Sequence, residues 1–262
     1  MDRRGPAVLG SGAFGWSKQV AGELRERAIT DGLAWFTAEH RGYADTPGEV
    51  TVQRSVLVVT GEYVLIVDRI TGSGEHCIEN LFHLHPAVGV EIEDDSACCM
   101  GPSAGLRIAS TASAATAWSV HRGDDPIQPG WYAPRYGCLN EAAVVRLIAN
   151  AKLPFWRVTA LFSVQQGQVP SVRLVATTDP DVDGADRADA TLIDIYSWQR
   201  EGTDTLRVDW GHSVPGRERM RFLLGGARNR VKYSYRTGML EFQVGSEVAE
   251  HGIRADGLHN LQ

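Results

Sequence analysis

Arg54-Ser55-Val56-Leu57-Val58-Val59-Thr60-Gly61-Glu62-Tyr63-Val64-Leu65-Ile66-Val67-Asp68-Arg69-Ile70 carries the pattern from which the fold class follows. It holds two runs, Arg54–Thr60 and Tyr63–Ile70, both rich in Val, Leu and Ile and joined only by Gly61-Glu62. Branched side chains lose little freedom on a pleated surface, and a short glycine-containing link between two such runs reads as a β-hairpin. Arg54, Asp68 and Arg69 then fall on adjacent strands. A cross-strand arginine–carboxylate pair is one reading of them, and anion recognition by Arg54 or Arg69 is the other.

The same device recurs near the C-terminus. Val231, Tyr233 and Tyr235 alternate with Lys232, Ser234 and Arg236; Thr237-Gly238 turns the chain; Leu240, Phe242 and Val244 alternate with Glu241 and Gln243. Leu206, Val208 and Trp210 alternate with Arg207 and Asp209. A period of two means one buried face and one wet face. Further strands are expected at Leu33–His40, His76–His85, Val88–Glu93, Leu106–Ser110, Ala117–His121, Arg157–Val164, Val172–Thr177 and Thr191–Trp198. Asn140–Lys152 is the one candidate helix, because Ala142, Val145, Leu147 and Ile148 do not alternate, although its β-branched residues suit a strand equally. The expectation is an all-β protein: a large antiparallel β-sandwich of two layered sheets. We expect a single domain over residues 1–262, with 1–30 and 250–262 irregular, and with 123–130 and the acidic 179–189 as loops.

Composition narrows the function classes. The 262 residues are 43% hydrophobic and 22% charged, an ordinary globular balance that argues against wholesale disorder. No apolar run approaches the ~20 residues that span a bilayer, so no membrane association is expected. Met1-Asp2-Arg3-Arg4-Gly5-Pro6 has no apolar stretch behind its charges and does not read as a signal peptide, which makes the chain as given cytoplasmic. The net charge of −6 shows no basic excess and argues against nucleic acid as a partner. Of the 26 basic residues only Lys18, Lys152 and Lys232 are lysine. The arginine excess reads either as compositional bias or as a supply of planar forks for oxyanions. Cys77, Cys98, Cys99 and Cys138 lack a C-x-x-C spacing and are expected as free thiols.

Two blocks are more specific. The first runs Ala38-Glu39-His40-Arg41-Gly42-Tyr43, then Gln53-Arg54-Ser55-Val56-Leu57, then Tyr63 to Ile70, Gly74-Glu75-His76 and Phe82-His83-Leu84-His85-Pro86. The second is Gly130-Trp131-Tyr132-Ala133-Pro134-Arg135-Tyr136-Gly137, continuing toward Leu153-Pro154 and Leu161-Phe162. Their order resembles the C-terminal β-sandwich of the heparinase II/III family of polysaccharide lyases, over roughly 90 residues. The resemblance implies a lyase lineage acting on uronate-containing acidic polysaccharides, among them glycosaminoglycans and alginate, by β-elimination. It also implies a periplasmic or secreted location if the chain is part of a longer precursor. In complete members a helical toroid supplies a tyrosine and a histidine or asparagine, and an H-x-H-x-D segment opens the sandwich. Neither is found in this sequence. The resemblance therefore implies a domain inactive or incomplete alone, with acidic polysaccharide and a helical catalytic domain or subunit as its partners. The alternative is a stand-alone, non-catalytic glycan-binding or assembly module.

The candidate residues follow from this chemistry. β-Elimination needs a base at the carbon-bound proton, an acid at the leaving oxygen and neutralisation of the carboxylate. No residue of this chain is assigned a catalytic role. His83 and His85, two apart on an expected strand, share a face. They read as two zinc ligands, with His40, His76 or His121 as a third, as contacts to an anionic sugar, or as hydrogen-bonded strand residues. Trp131, Tyr132, Arg135 and Tyr136 read as a sugar-stacking cluster or as packing at a sheet edge. The expected substrate-binding set is His83, His85, Arg54, Trp131, Tyr132 and Arg135. Asp179, Asp181 and Asp183, before Gly184, resemble the start of a calcium loop but lack the glutamate at the twelfth place, which is Ala190. No cofactor is required by this reading; zinc and calcium are the two metals considered. Gly10–Gly15 lacks the lysine and the strand–helix context of a phosphate loop, and Gly211-His212-Ser213 is not a nucleophile elbow.

Overall fold

The structure is a computed structural model that describes residues 1–11, 15–29, 32–123, 129–165, 172–178, 190–197 and 203–209, together with the strands 220–224, 231–236, 239–244 and 247–249. Among the described residues there are strands and turns and no helix. The chain divides into two compact units, one of residues 1–25 and 36–168 and the other of residues 26–35 and 169–262.

In the first unit, β1 (Val8–Leu9) and β2 (Trp16–Lys18) form a small hairpin. After them come β3 (Gly22–Ile29), β4 (Leu33–Tyr43), β5 (Val50–Val59), β6 (Tyr63–Thr71), β7 (Glu75–His83), β8 (Gly89–Glu93), β9 (Ser96–Met100) and β10 (Ala104–Ala112). The succession closes with β11 (Ala117–His121), β12 (Trp131–Arg135), β13 (Cys138–Glu141), β14 (Val144–Lys152) and β15 (Phe155–Gln165). β3 and β4 contribute residues to both units. One sheet has eight strands in the order β3-β4-β5-β6-β15-β10-β9-β8, and a second has three in the order β11-β14-β7. The decisive hairpin forms as its sequence requires: β5 and β6 pair antiparallel from Thr51↔Thr71 to Val59↔Tyr63, placing Arg54 opposite Asp68.

Two apolar clusters join the eight-stranded and three-stranded sheets into a sandwich. Val50, Ile70 and Phe155 of the large sheet pack with Ile78 and Ala149 of the small one. Ala97, Cys99 and Ile108 pack with Val145 and Leu147. Full burial of such side chains is worth roughly 1.5–3 kcal/mol each, which makes this interface the main source of cohesion in the unit. The four cysteines are free, and burial pushes the Cys99 thiol up to about 12, far from a reactive thiolate.

Two sequence expectations are corrected here. Asn140–Lys152 is not a helix: its first two residues finish β13 and Val144–Lys152 is β14. β14 is the middle strand of its sheet, paired to both β7 and β11, and Val144 and Val145 are buried on opposite faces. Val144 and Ile148 put apolar side chains on the face opposite Val145, Leu147 and Ala149, so the sequence lacks the apolar–polar alternation by which strands are recognised, although burial alternates from Val145 to Ala149. The strand expected over His76–His85 forms but ends two residues earlier. β7 ends at His83, Leu84 N–H donates to Ala143 O, and Val88 N–H closes a turn on His85 O around Pro86, which has no N–H to continue a ladder.

In the second unit, β16 (Val172–Thr178), β17 (Ala190–Ser197), β18 (Thr203–Asp209), β19 (Met220–Leu224), β20 (Val231–Arg236), β21 (Met239–Val244) and β22 (Glu247–Ala249) form a seven-stranded antiparallel meander in chain order. Ile193, Ile195, Leu206 and Val208 are buried, so β17 and β18 each turn an alternating apolar set inward. Residues 250–262 lie outside the described residues.

Candidate functional site

The polar centre of the first unit is built on three adjacent strands of the large sheet. Asp68 on β6 stands opposite Arg54 on β5 and opposite Arg157 on β15. Arg54 meets it with a bidentate fork, Nε donating to Oδ1 at 2.6 Å and Nη2 to Oδ2 at 2.9 Å. Asn80, on β7 of the other sheet, donates to Asp68 Oδ2 at 2.7 Å and accepts from Arg157 Nη1. Arg157 also donates from Nη2 to Thr116 Oγ1, and its guanidinium lies 5.3 Å from the Phe155 ring centroid. Arg157 is fully buried, and burial lowers its pKa to about 10 against the opposing field of Asp68. For Arg54 burial pulls the same way, but the hydrogen bond and charge of Asp68 outweigh it and the pKa is raised. The cross-strand pair expected from sequence therefore exists, with a second arginine and a bridging amide that local sequence does not reveal.

This network opens onto a cavity of about 360 Å³, at the small end of the range for small-molecule sites. His40 and Tyr43 line it together with Arg54, Asp68, Asn80 and Ile78. The Gly42 N–H donates to His40 Nδ1 at 3.2 Å, so the neutral ring carries its proton on Nε2. Burial lowers the His40 pKa, and the Arg54 charge lowers it further. The Tyr43 ring lies 5.9 Å from that of His40, its hydroxyl donates to Arg4 O at 3.2 Å, and burial together with Asp2 and Glu79 raises its pKa. Glycine between His40 and Tyr43 has a steric reason: a Cβ on Gly42 would stand 2.6 Å from Pro6 Cβ and 3.0 Å from Val20 Cγ2. A second cavity of about 680 Å³ shares Tyr43, Arg54, Glu79 and Asn80 with the first and adds Arg3, Arg4 and Arg146. Arg146 is held by Glu79, with Nε at 3.0 Å and Nη2 at 2.9 Å from the same oxygen.

Most of the other expected site residues gather elsewhere. β12 and β13 pair Trp131↔Glu141, Tyr132↔Asn140 and Arg135↔Cys138, with a register shift between Tyr132 and Arg135. His85, in the turn after β7, lies with its ring 5.8 Å from that of Tyr132. Tyr132 is 40% exposed and Tyr136 98% exposed. His83 is exposed at the end of β7, opposite Val144. The structure thus brings His85 to the Trp131–Arg135 hairpin and places Arg54 in the other site, whose cavities include none of those residues.

β7 ends at His83 and His85 lies in the turn that follows, both exposed, so the zinc reading no longer rests on two places of one strand. His76 is held by Asp2 at 2.8 Å and by Ser73 O, and His121 is bonded to Ser119. Among the described residues no group of three or more His, Cys, Asp or Glu side chains gathers to hold a metal ion. Asp179, Asp181, Asp183 and Gly211–Ser213 lie outside the described residues.

The architecture and the motif order lead to a comparison with known families. A family model described as heparinase II/III-like, C-terminal, matches residues 4–191. The chain belongs to this heparinase II/III-like C-terminal family. The domain also superposes on solved structures with little sequence identity. The heparan sulfate lyase HepC from Pedobacter heparinus matches with a TM-score of 0.58 at 13% identity, over 74% of this chain and 28% of that one. A heparinase III matches with a TM-score of 0.56 at 15% identity, over 78% of this chain and 29% of that one. At such identities the likeness establishes the fold, and the match spans less than a third of those enzymes' length. No curated protein sequence matches the chain. Within the heparinase II/III-like domain, sequence reasoning missed Tyr43, Asn80, Arg146, Arg3, Arg4 and Arg157 as site residues. They come from separate strands and the leading segment, and only register and sheet packing unite them.

Proposed function

We propose that this domain is a polysaccharide-lyase-derived β-sandwich that binds acidic, uronate-containing polysaccharide and does not carry out β-elimination by itself. The observation that carries the reading is the exposed β12–β13 hairpin with His85 against Tyr132. Aromatic faces beside Trp131 and Arg135 suit a sugar ring and its carboxylate or sulfate. Family membership supports the lineage, and the heparan sulfate lyase among the similar structures supports an acidic glycan as the ligand class.

The chemistry of the other site supports the reading that the chain does not eliminate by itself. His40, Tyr43 and Arg54 are the residue types that elimination uses, and they share one cavity. Tyr43, however, is buried, donates its hydroxyl proton to a backbone carbonyl and has a raised pKa, all of which oppose a phenolate base. His40 spends Nδ1 on the Gly42 N–H and presents a protonated Nε2, which can donate to a leaving oxygen but cannot serve as the base.

The test is to incubate the purified chain with heparin, heparan sulfate and alginate, following the ultraviolet absorbance of unsaturated ends and, separately, retention of the chain on immobilised glycan. We expect retention without new absorbance. Tyr132→Ala and Arg135→Gln should each weaken retention with an unchanged melting temperature. Measurable turnover would overturn the reading, and so would retention that neither substitution alters.

A further inference from the structure

We propose that the cavity lined by Arg3, Arg4, Arg54 and Arg146 is a second, separate binding site, built for a tetrahedral oxyanion of the sulfate or phosphate class. It goes beyond the glycan-contact hairpin and does not depend on it. Four arginines line one concavity, in a chain whose overall charge is −6; Glu79 is the carboxylate among the lining residues, and Asp68 beside it holds Arg54. Like charges collected in a cleft repel one another unless an anion is present, and a concave wall focuses their field on whatever enters.

Not all of this charge is neutralised within the protein. Arg146 is paired with Glu79. Arg54 spends Nε and Nη2 on Asp68, which leaves Nη1 without a hydrogen bond among the described residues. Arg3 and Arg4 have no side-chain hydrogen bond or ion pair among the described residues, and the acid whose charge interacts with Arg4 is Asp45, already bonded to Lys18.

The segment that carries Arg3 and Arg4 is fastened down. The Cys77 N–H donates to Asp2 Oδ1 at 2.8 Å, His76 Nδ1 meets Asp2 Oδ2 at 2.8 Å, and the Asp2 N–H donates to Cys77 O. The Met1 side chain sits in the apolar cluster with Tyr43, Ile70 and Ile78, and the Tyr43 hydroxyl donates to Arg4 O. Pro6 packs where Gly42 leaves room for it. Asp2 and Arg3 both adopt left-handed backbone, with φ of 48° and 58°. L-residues rarely hold that conformation, and two in succession persist only where surrounding bonds over-determine it. These ties hold a strained turn whose arginines have no anion of their own.

The ligand class follows from the donor count. A carboxylate offers its acceptors in one plane: Asp68 takes the fork of Arg54 and one amide bond from Asn80. Several arginines around one concavity offer more donors in more directions than two coplanar oxygens can accept. A tetrahedral oxyanion, with acceptors on several sides, matches them.

The experiment is calorimetric titration of the full chain at low salt with inorganic sulfate, inorganic phosphate, a monosulfated hexosamine and glucuronate. We expect a tetrahedral oxyanion to bind and glucuronate to bind more weakly. Binding should fall at least about tenfold in Arg4→Gln and again in Arg3→Gln/Arg4→Gln, since one charge-assisted hydrogen bond commonly exceeds a tenfold effect. Preference for the sulfated sugar over inorganic sulfate would mark a glycan sulfate as the source, and the reverse a free ion. Both arginines are exposed, so the ligand-free melting temperature should hold, and Arg146→Gln gives an independent check. Tyr132→Ala should leave this binding unchanged while weakening retention on polysaccharide, which separates failure of this proposal from failure of the hairpin reading. No heat with any tetrahedral oxyanion, equal affinity in the double variant, or preference for glucuronate would each overturn it.

Discussion

Asp68 illustrates how much a single buried carboxylate can organise. It is almost fully buried, takes three hydrogen bonds from two residues and stands opposite a wholly buried arginine. Asp68→Asn keeps the shape but leaves Arg157 without its counter-charge, and urea unfolding should show a loss of about 3 kcal/mol. Gly42→Ala should also destabilise, by about 1–3 kcal/mol, because the added methyl meets Pro6 and Val20. The two perturbed histidines should tilt stability in opposite directions with pH. The His76 pKa is raised, first by its hydrogen bond to Asp2. Its contribution is complete below the ordinary histidine value of about 6.5 and is lost as pH rises through the higher folded value. The His40 pKa is lowered, so its contribution is complete above about 6.5 and is lost as pH falls through the lower folded value. Melting temperatures across pH 5–8 should show His76→Gln removing a decline toward alkaline pH and His40→Gln removing a decline toward acid.

At the scale of elements, β14 is the strand on which the sandwich closes. It lies between β7 and β11 and sends Val145 and Leu147 into the cluster shared with the large sheet. Leu147→Ala removes a side chain with no solvent exposure and should cost about 2–5 kcal/mol in denaturant titration, the spread reflecting how far β10 and β9 relax into the space. The β12–β13 hairpin is the contrasting case. Tyr136 is 98% exposed, so Tyr136→Ala should change stability by no more than about 0.5 kcal/mol, and any loss of glycan retention it causes reads directly as lost contact.

For the molecule as a whole, an acidic chain gathers arginines in one concavity and presents Arg135 on the exposed hairpin. Long-range repulsion of a polyanion by the net charge of −6 then competes with short-range attraction. Retention on immobilised glycan should fall steeply as ionic strength rises past the point where the Debye length drops below about 10 Å, if charge pairing carries it. Retention that persists in about 1 M salt would assign the contact to ring stacking instead.

Sequence alone determined the class of every element whose pattern is local. The Arg54–Ile70 hairpin, the 231–244 hairpin and the alternating β18 follow from period-two patterning and turn chemistry, which need no distant partner. The cross-strand pairing of Arg54 with Asp68 was legible for the same reason, since hairpin register is set by the turn. The β14 strand was not, because apolar Val144 and Ile148 stand on the face opposite Val145, Leu147 and Ala149 and mask the alternation in sequence. Nor was the end of β7 at His83, which is followed by the turn that Val88 N–H closes on His85 O around Pro86. The arginine concavity was least legible of all. Arg3, Arg54 and Arg146 are far apart in the chain, and nothing in their local sequence distinguishes them from other arginines. Only the packing of one sheet on another, and the strapping of residues 1–6 beneath Gly42 and Tyr43, brings their charges to one place.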